Sequence, residues 1–302
     1  MSERHCRIRR LGPRFRAEAV GGAPGRCRGG SGNMSESRLL KYARTDEVNL
    51  NSNQKHETAA SHALKIYKSN SIYTFIPKNA CSTMRLSLAI ANCCIADASE
   101  FRWIHNNNAT FRARLEDLVM ARYTFVILRD PLARLASCFL DRIVSKGVPA
   151  RRLWDLVKPE HDLDDLTFAE FVDYLEDPSV RAHNMHWRPQ ADFLVYDRYD
   201  DYFAVENLGS CAALIAERAG IEIVDARPLT AHGLDRYRLL PASLDHSRIP
   251  LRKIARLKQG GECPDPRSLY TPAIADAVAR LYADDIEVYA EKIHPPAGFW
   301  SG

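Results

Sequence analysis

Residues 71–85, SIYTFIPKNACSTMR, constrain the chain most, because they read as a buried strand that runs into a tight loop and opens a helix. Ile72, Thr74 and Ile76 alternate with Tyr73 and Phe75, a run rich in β-branched and aromatic residues, and Pro77 stops it. Lys78, Asn79, Ala80, Cys81, Ser82 and Thr83 then supply one cation, small residues that let backbone approach a ligand, and two hydroxyls. Met84, Leu86, Leu88, Ile90, Ala91 and Cys93 continue as a helix whose unpaired N-terminal amides face the loop. Such a helix end attracts an anion, above all a phosphate or sulfate group. A nucleotide triphosphatase loop is excluded: that pattern needs glycines and a lysine directly before Ser/Thr, whereas here no glycine occurs and Lys78 leads. Many strand–loop–helix turns hold nothing, so a second such corner matters.

Residues 123–144 supply it. YTFVIL is a continuous apolar run, the signature of a central strand in a parallel sheet. In RDPLARLASCFLDRIV, Asp130 suits a helix cap and Pro131 its first turn, and Leu132, Leu135, Ala136, Phe139, Leu140 and Ile143 form one apolar stripe. Arg134, Ser137 and Asp141 fall on another face, and Arg129 sits at the strand's C-terminal end. A forked Arg129 cation and the Ser137 hydroxyl two turns into the helix can converge on one phosphate. Open α/β sheets take their ligands at this carboxyl edge. Between the two corners, EFRWIHNNNAT (residues 100–110) has loop composition and carries His105 one helix downstream of the anion loop. There it could take a proton from an acceptor hydroxyl if the loop folds back.

With 302 residues, 46% of them hydrophobic, the chain can bury one substantial α/β core. The formal charge of +4 is misleading, because residues 1–33 hold eight arginines against two glutamates, a formal +6 that leaves −2 for the rest. The basic balance belongs to that Arg/Gly-rich segment, expected to be a disordered tail, and does not argue for nucleic acid as a partner. No run approaches the roughly 18–20 apolar residues of a membrane span, and there is no secretory apolar region. Eight cysteines without a CxxC pair, most in helical apolar surroundings, suit reduced buried thiols of a soluble, cytoplasmic protein, with Cys93 and Cys94 expected in the core.

Residues 151–165 read as a charged insertion or loop. Thr167 and Glu170 make a capping box for a helix that buries Phe168, Phe171, Val172 and Leu175. His183 and His186 precede a Trp-Arg-Pro turn; no cysteines accompany them, so a metal pair is disfavoured. Trp187 either anchors that turn or stacks on a sugar ring. Residues 193–196 and 202–205 read as short strands, residues 210–219 as a helix ended by Gly220, and residues 248–258 as a basic stretch facing a nucleotide, an acidic glycan or solvent. Thr271 and Pro272 open the last long helix, with Ile274, Val278, Leu281 and Tyr282 inward.

PKNACSTMR resembles the 5′-phosphosulfate loop, and RDPLARLAS the 3′-phosphate motif, of sulfotransferases that use 3′-phosphoadenosine 5′-phosphosulfate (PAPS). The likeness is to the carbohydrate sulfotransferases of the chondroitin, dermatan and HNK type. The stretch from His186 to Gln190 resembles their HWxP element, and LYADDIEVY (residues 281–289) their LYxxDFxxxxY helix. The resemblance implies an α/β, P-loop-like three-layer fold with a central parallel β-sheet flanked by helices, occupying residues 71–294 after a lead-in of residues 34–70 and before a tail of residues 295–302. It implies PAPS as co-substrate without a metal, and a carbohydrate or glycoconjugate acceptor. The PAPS-binding residues would be Lys78, Asn79, Ala80, Cys81, Ser82, Thr83, Met84, Arg129, Arg134 and Ser137. Lys78 and His105 would be catalytic, with His62, His183 and His186 as the other candidate bases. Ser82, Thr83 and Met84 depart from the commoner Thr-Asn-Trp, and the missing cysteine-rich patches and membrane anchor point to a bacterial-type soluble relative. A nucleotide-dependent kinase lacks an acidic metal-holding motif here, and a silent glycan-binding module is the reading from a different class. Met34 opens a second, more ordinary start, so native protein is expected to begin there or to tolerate loss of residues 1–33. Mass spectrometry of native protein checks this, and an intact first segment overturns it.

Overall fold

The structure is a computed structural model and describes residues 38–43, 49–107, 109–230, 233–294 and 299. The expected basic tail of residues 1–33 lies outside the described residues, as does nearly all of residues 295–302.

Four strands form the main sheet in the spatial order β1 (Ala63–Ile66), β2 (Ser71–Thr74), β3 (Tyr123–Leu128) and β4 (Asp201–Ala204). Strands β2, β3 and β4 are parallel, and β1 adds an antiparallel edge that the sequence pattern had not revealed. Two three-residue strands, β5 (Arg238–Leu240) and β6 (Glu262–Pro264), pair separately. The described helices of seven or more residues are α1 (Gln54–Ala60), α2 (Cys81–Ala91), α3 (Pro131–Cys138), α4 (Val148–Val157), α5 (Phe168–Tyr174), α6 (Leu208–Ala219), α7 (Leu251–Gln259), α8 (Pro272–Leu281) and α9 (Ala283–Lys292).

The pleat makes the layers. Tyr73, Phe125, Ile127 and Phe203 point to one face, where they pack with Met84, Leu86 and Leu88 of α2 and Cys211 and Ile215 of α6. Their neighbours Ile72, Val126, Leu128 and Ala204 point to the other, against Ala59 of α1, Phe193, Tyr199 and Tyr289 of α9. Strand β3 is buried along its whole length, as its unbroken apolar run requires. A further cluster joins α3, α4, α5, α7 and α8 beyond the strand ends. No described helix is long and apolar enough to cross a membrane.

Several local expectations hold for the reasons given. Asp130 accepts the N–H groups of Leu132 and Ala133, Thr167 and Glu170 close their capping box, and Gly220 takes the left-handed conformation (φ 69°) that ends α6. Others are corrected. Residues 148–157 are helix rather than loop, because Ala150 and Leu153 fall on one buried face and Pro149 fits the first turn. Helix α2 stops at Ala91, where the Asn92 side chain donates to the Lys65 carbonyl and accepts from the Tyr67 N–H; Cys93 turns to φ 58°, and Cys93 and Cys94 are exposed, not core. Residues 193–196 are no strand but follow a helical turn (Gln190–Phe193), with Tyr196 bridging Leu40. The last helix breaks at Tyr282 into α8 and α9.

Trp187 is fully buried, edge-on to Phe171 with ring centroids 5.8 Å apart, and its indole N–H donates to the Val180 carbonyl at 2.9 Å. Its own carbonyl accepts from the Tyr282 hydroxyl at 2.6 Å. It is an anchor, with no face left for a sugar. Trp187→Ala is expected to cost about 3–5 kcal/mol of stability through the cavity it leaves. Trp187→Phe, which leaves the Val180 carbonyl unpaired, should cost about 1–3 kcal/mol. Urea unfolding of the two variants reads both values.

Candidate active site

The loop between β2 and α2 contains no glycine, yet Lys78 (φ 74°) and Ala80 (φ 53°) both adopt the left-handed conformation. That geometry is costly for residues with a Cβ, on the order of 1–2 kcal/mol each, and persists only where the surroundings enforce it. Asn79 between them is fully buried, and its amide group donates to the Ile127 carbonyl (2.9 Å) and to Oε1 of Gln190 (2.6 Å). The strained path brings the chain into α2 with no side-chain cap, so the amides of Cys81, Ser82 and Thr83 stay open at a positive helix end. The Lys78 ammonium lies 2.6 Å from Oδ2 of Asp141, which follows α3 by one turn.

The second corner touches the first. Strands β2 and β3 are parallel neighbours, and Arg129, just past β3, donates from its terminal nitrogen to the Lys78 carbonyl at 3.1 Å. Its Nε is buried with no hydrogen-bond partner. Burial pushes the guanidinium below its usual pKa, and Glu206, whose Oε1 accepts the Asp130 N–H, opposes that shift. Ser137 is half-buried on α3.

Arg134 holds the corners together. It is 2% exposed; its Nε donates to the Pro77 carbonyl (3.0 Å) and its terminal nitrogens to the carbonyls of Arg188 (2.8 Å) and Met185 (3.3 Å). A third segment, residues 184–191, is thereby placed beside Lys78. Gln190 extends the lattice by donating to the Arg129 carbonyl and accepting from the Arg129 N–H, while the N–H groups of Gln190 and Ala191 are received by the buried Asp285 carboxylate at 2.7 and 2.8 Å. Burial pushes Asp285 up to about 6 against the pull of Arg134.

The residues expected at a PAPS site therefore divide. Lys78, Ala80, Cys81, Ser82, Thr83 and Arg129 come together at the sheet's carboxyl edge. Asn79 and Arg134 spend their donors on the protein's own carbonyls and position the loop. Met84 is fully buried, with its N–H on the Ala80 carbonyl, and serves the core. The Thr83 hydroxyl accepts the Ala226 N–H at 3.2 Å. His105 is exposed on a short helical segment (Trp103–Asn106), its ring edge-on to Phe101 at 5.1 Å, and Arg85 of α2 donates to the neighbouring Ile104 carbonyl. Of the basic stretch, Arg252 pairs with Asp165 and Lys258 donates to the Leu140 carbonyl beside Asp141. Lys253 and Arg256 line an open cleft of about 500 Å³ that shares no lining residue with the Lys78 corner.

Sequence reasoning missed Asp141 as the partner of Lys78, and it named His186 among the alternative bases without the contacts that tie its segment to the Lys78 loop. Arg134, Ser137 and Asp141 recur on one helical face, which was the available signal for the first. His186 is half-buried, and its pKa is pushed down to about 3 by burial and by Arg142, Lys78 and Arg134, with only Asp141 pulling the other way.

An uncapped helix start behind a strained loop, with an arginine of the adjoining corner bonded to that loop, lies at the carboxyl edge of an α/β sheet whose central strands are parallel. Residues 61–290 match the sulfotransferase family, and the chain belongs to that family. It is 25% identical over 185 residues to carbohydrate sulfotransferase 14 of Danio rerio, covering 54% of this chain and 50% of the relative. With carbohydrate sulfotransferase 14 of Mus musculus it shares 27% over 146 residues (44% and 39%), and with carbohydrate sulfotransferase 10 of Xenopus laevis 28% over 161 residues (45% and 43%). The chain thus spans half or less of the length of these curated relatives. No solved structure matches it.

The depressed His186 pKa fixes a sign. Between pH 6.5 and 3 the unfolded chain binds a proton at this histidine that the folded chain refuses, so stability falls on acidification through that window. The loss should be about 1–2 kcal/mol at pH 5 from this group. Chemical denaturation of wild type and His186→Gln at pH 7 and pH 5 checks it: the variant should show the shallower dependence.

Proposed function

We propose that the protein transfers a sulfonate group from PAPS to a hydroxyl of a carbohydrate or glycoconjugate. The observation that carries this reading is the 3.1 Å contact from Arg129 to the Lys78 carbonyl, which joins two anion-suited corners on adjacent parallel strands. A nucleotide with a phosphosulfate at one end and a 3′-phosphate at the other matches that spacing of roles. The open amides of Cys81, Ser82 and Thr83 and the Ser82 hydroxyl suit the 5′-phosphosulfate. Arg129, whose buried Nε has no partner, and Ser137 suit the 3′-phosphate. The relatives named for carbohydrate sulfation support the acceptor class.

Transfer would be in-line, with catalysis arising from positioning and charge stabilisation, as in phosphoryl transfer. The acceptor oxygen bonds to sulfur while the bond from sulfur to the bridging oxygen breaks. The electron pair stays on that oxygen, and Lys78, released from Asp141, neutralises the charge developing there. The Arg134 lattice keeps the loop from relaxing, so the donors need not reorganise as charge moves.

Lys78→Ala should lower labelled-sulfate transfer by at least about a hundredfold, in the range seen when one preorganised electrostatic donor is removed. Circular dichroism should stay native. An unchanged rate overturns the assignment. Thermal-shift measurements separate the neighbouring readings: stabilisation by adenosine 3′,5′-bisphosphate without magnesium is expected, stabilisation by ATP with magnesium alone would indicate a kinase, and neither would indicate a silent module.

A further inference from the structure

We propose that Nε2 of His186 is the base that takes the proton from the acceptor hydroxyl, an inference that rests on the sulfonate-transfer reading above. Three observations carry it. Position comes from Arg134, whose buried guanidinium binds the carbonyl of Pro77, immediately before Lys78, and the carbonyls of Met185 and Arg188 on either side of His186. One rigid cation therefore staples the imidazole segment to the loop that would hold the phosphosulfate.

Orientation comes from Asn184. Its side-chain atom Oδ1 lies 3.0 Å from the His186 backbone N–H, which can only donate, so that atom must be the carboxamide oxygen. The same oxygen lies 2.8 Å from Nδ1 of His186. An oxygen accepts, so Nδ1 carries the hydrogen and Nε2 the lone pair. A carboxamide that fixes the tautomer of a base is the arrangement a general base needs.

Availability completes the case. The described hydrogen bonds of His186 use its backbone and Nδ1, and Nε2 is not among the buried unpartnered atoms, so its lone pair faces accessible space. The charged groups around the ring are Arg142, Lys78, Arg134 and Asp141. The three cations keep the imidazole neutral and ready to accept. An anionic donor seated at Lys78 and Arg129 offsets those cations, so the imidazole gains proton affinity when the donor is in place. His105 is exposed on its own short segment, which Arg85 of α2 ties down through the Ile104 carbonyl.

The step balances. The acceptor O–H bond breaks and its proton moves to Nε2; the oxygen's electron pair forms the bond to sulfur; the bridging oxygen leaves as phosphate on Lys78. His186 becomes an imidazolium, and the Asp141 carboxylate, relieved of Lys78, offsets that charge. Solvent then takes the proton.

Two measurements test this. Nitrogen NMR of the histidine rings, with His186 assigned by its loss in His186→Gln, should show the Nδ1–H tautomer in the free protein. Saturating adenosine 3′,5′-bisphosphate should raise its titration midpoint by about one pH unit or more, since opposing cations are being neutralised. The Nε2–H tautomer, or a midpoint unmoved by bound bisphosphate, overturns the inference. In labelled-sulfate transfer to desulfated chondroitin and dermatan, His186→Gln should lose about 10²–10⁴ in kcat, the range for removal of a general base. Bisphosphate affinity should stay within about threefold, the sign that the donor site survives. Added imidazole should restore part of the rate in His186→Gly. Asn184→Ala, which keeps the ring but frees its tautomer, should lose less in kcat with the same bisphosphate affinity. An active wild type whose His186→Gln variant turns over within about threefold of it overturns this inference alone. A wild type that neither binds the bisphosphate nor transfers sulfonate overturns the parent reading, and this inference with it.

Discussion

The buried guanidinium of Arg134 is the interaction on which the arrangement at the sheet edge depends. A cation taken out of water is expensive unless its donors are satisfied and a counter-charge is near. Here burial lowers the Arg134 pKa, and the largest opposing influence is Asp285, itself buried and pushed up to about 6. Both shifts run in the direction burial dictates, so neither charge is comfortable alone. Together they bind four pieces that are remote in sequence: the loop at Pro77, helix α3, the segment from Met185 to Ala191, and helix α9. Removing either partner would leave the other charge buried and uncompensated, a larger penalty than the loss of any single hydrogen bond.

That lattice explains how a loop without glycine can hold two left-handed residues. Lys78 and Ala80 are strained, and the strain is retained because Asn79 between them is pinned to the Ile127 carbonyl and to Gln190, while Pro77 is pinned to Arg134. Strain of this kind gathers where a site needs a geometry the chain would not adopt unaided. Its consequence is a helix start without a side-chain cap, just after Lys78 in the chain. The neighbouring helix α3 differs: Asp130 caps it with a carboxylate, so in the proposed function anion binding at that corner would fall to the Arg129 and Ser137 side chains rather than to helix amides.

Much of this was legible from residue order where the signal is local. Asp130 before Pro131, the Thr167 and Glu170 pair, Gly220 and the apolar run of β3 each act within a few residues, and each forms as its chemistry demands. The four-residue strand β1 was too short to declare itself, since ALKI carries as little β pattern as helix pattern and owes its extension to pairing with β2. The positioning role of Arg134 was hidden for a related reason. Its three carbonyl partners come from segments 51 to 57 residues away, and no local pattern reveals them. Residue order left Trp187 open between an anchor and a sugar platform, and its burial decides for the anchor; the role of Asn184 in fixing the His186 ring follows only from their hydrogen bond.

Charge pairing sets what an incoming anion would have to displace at the site. Lys78 is in contact with Asp141, whereas Glu206 and Asp285 act on Arg129 and Arg134 as nearby charges. Arg134 and Asp285 are both buried, and each is bonded to backbone groups. The Lys78 and Asp141 side chains are only 12% and 17% exposed, so their contact is partly desolvated and stronger than a surface pair, yet it remains open on one side. An incoming anion must compete with Asp141 for that lysine. A singly charged group has little advantage over the carboxylate already there. A ligand that also engages Arg129 gains a second attachment from the same binding event, and the exchange at Lys78 then becomes favourable. In the proposed function the pair would thus bias the corner toward a donor charged at both ends.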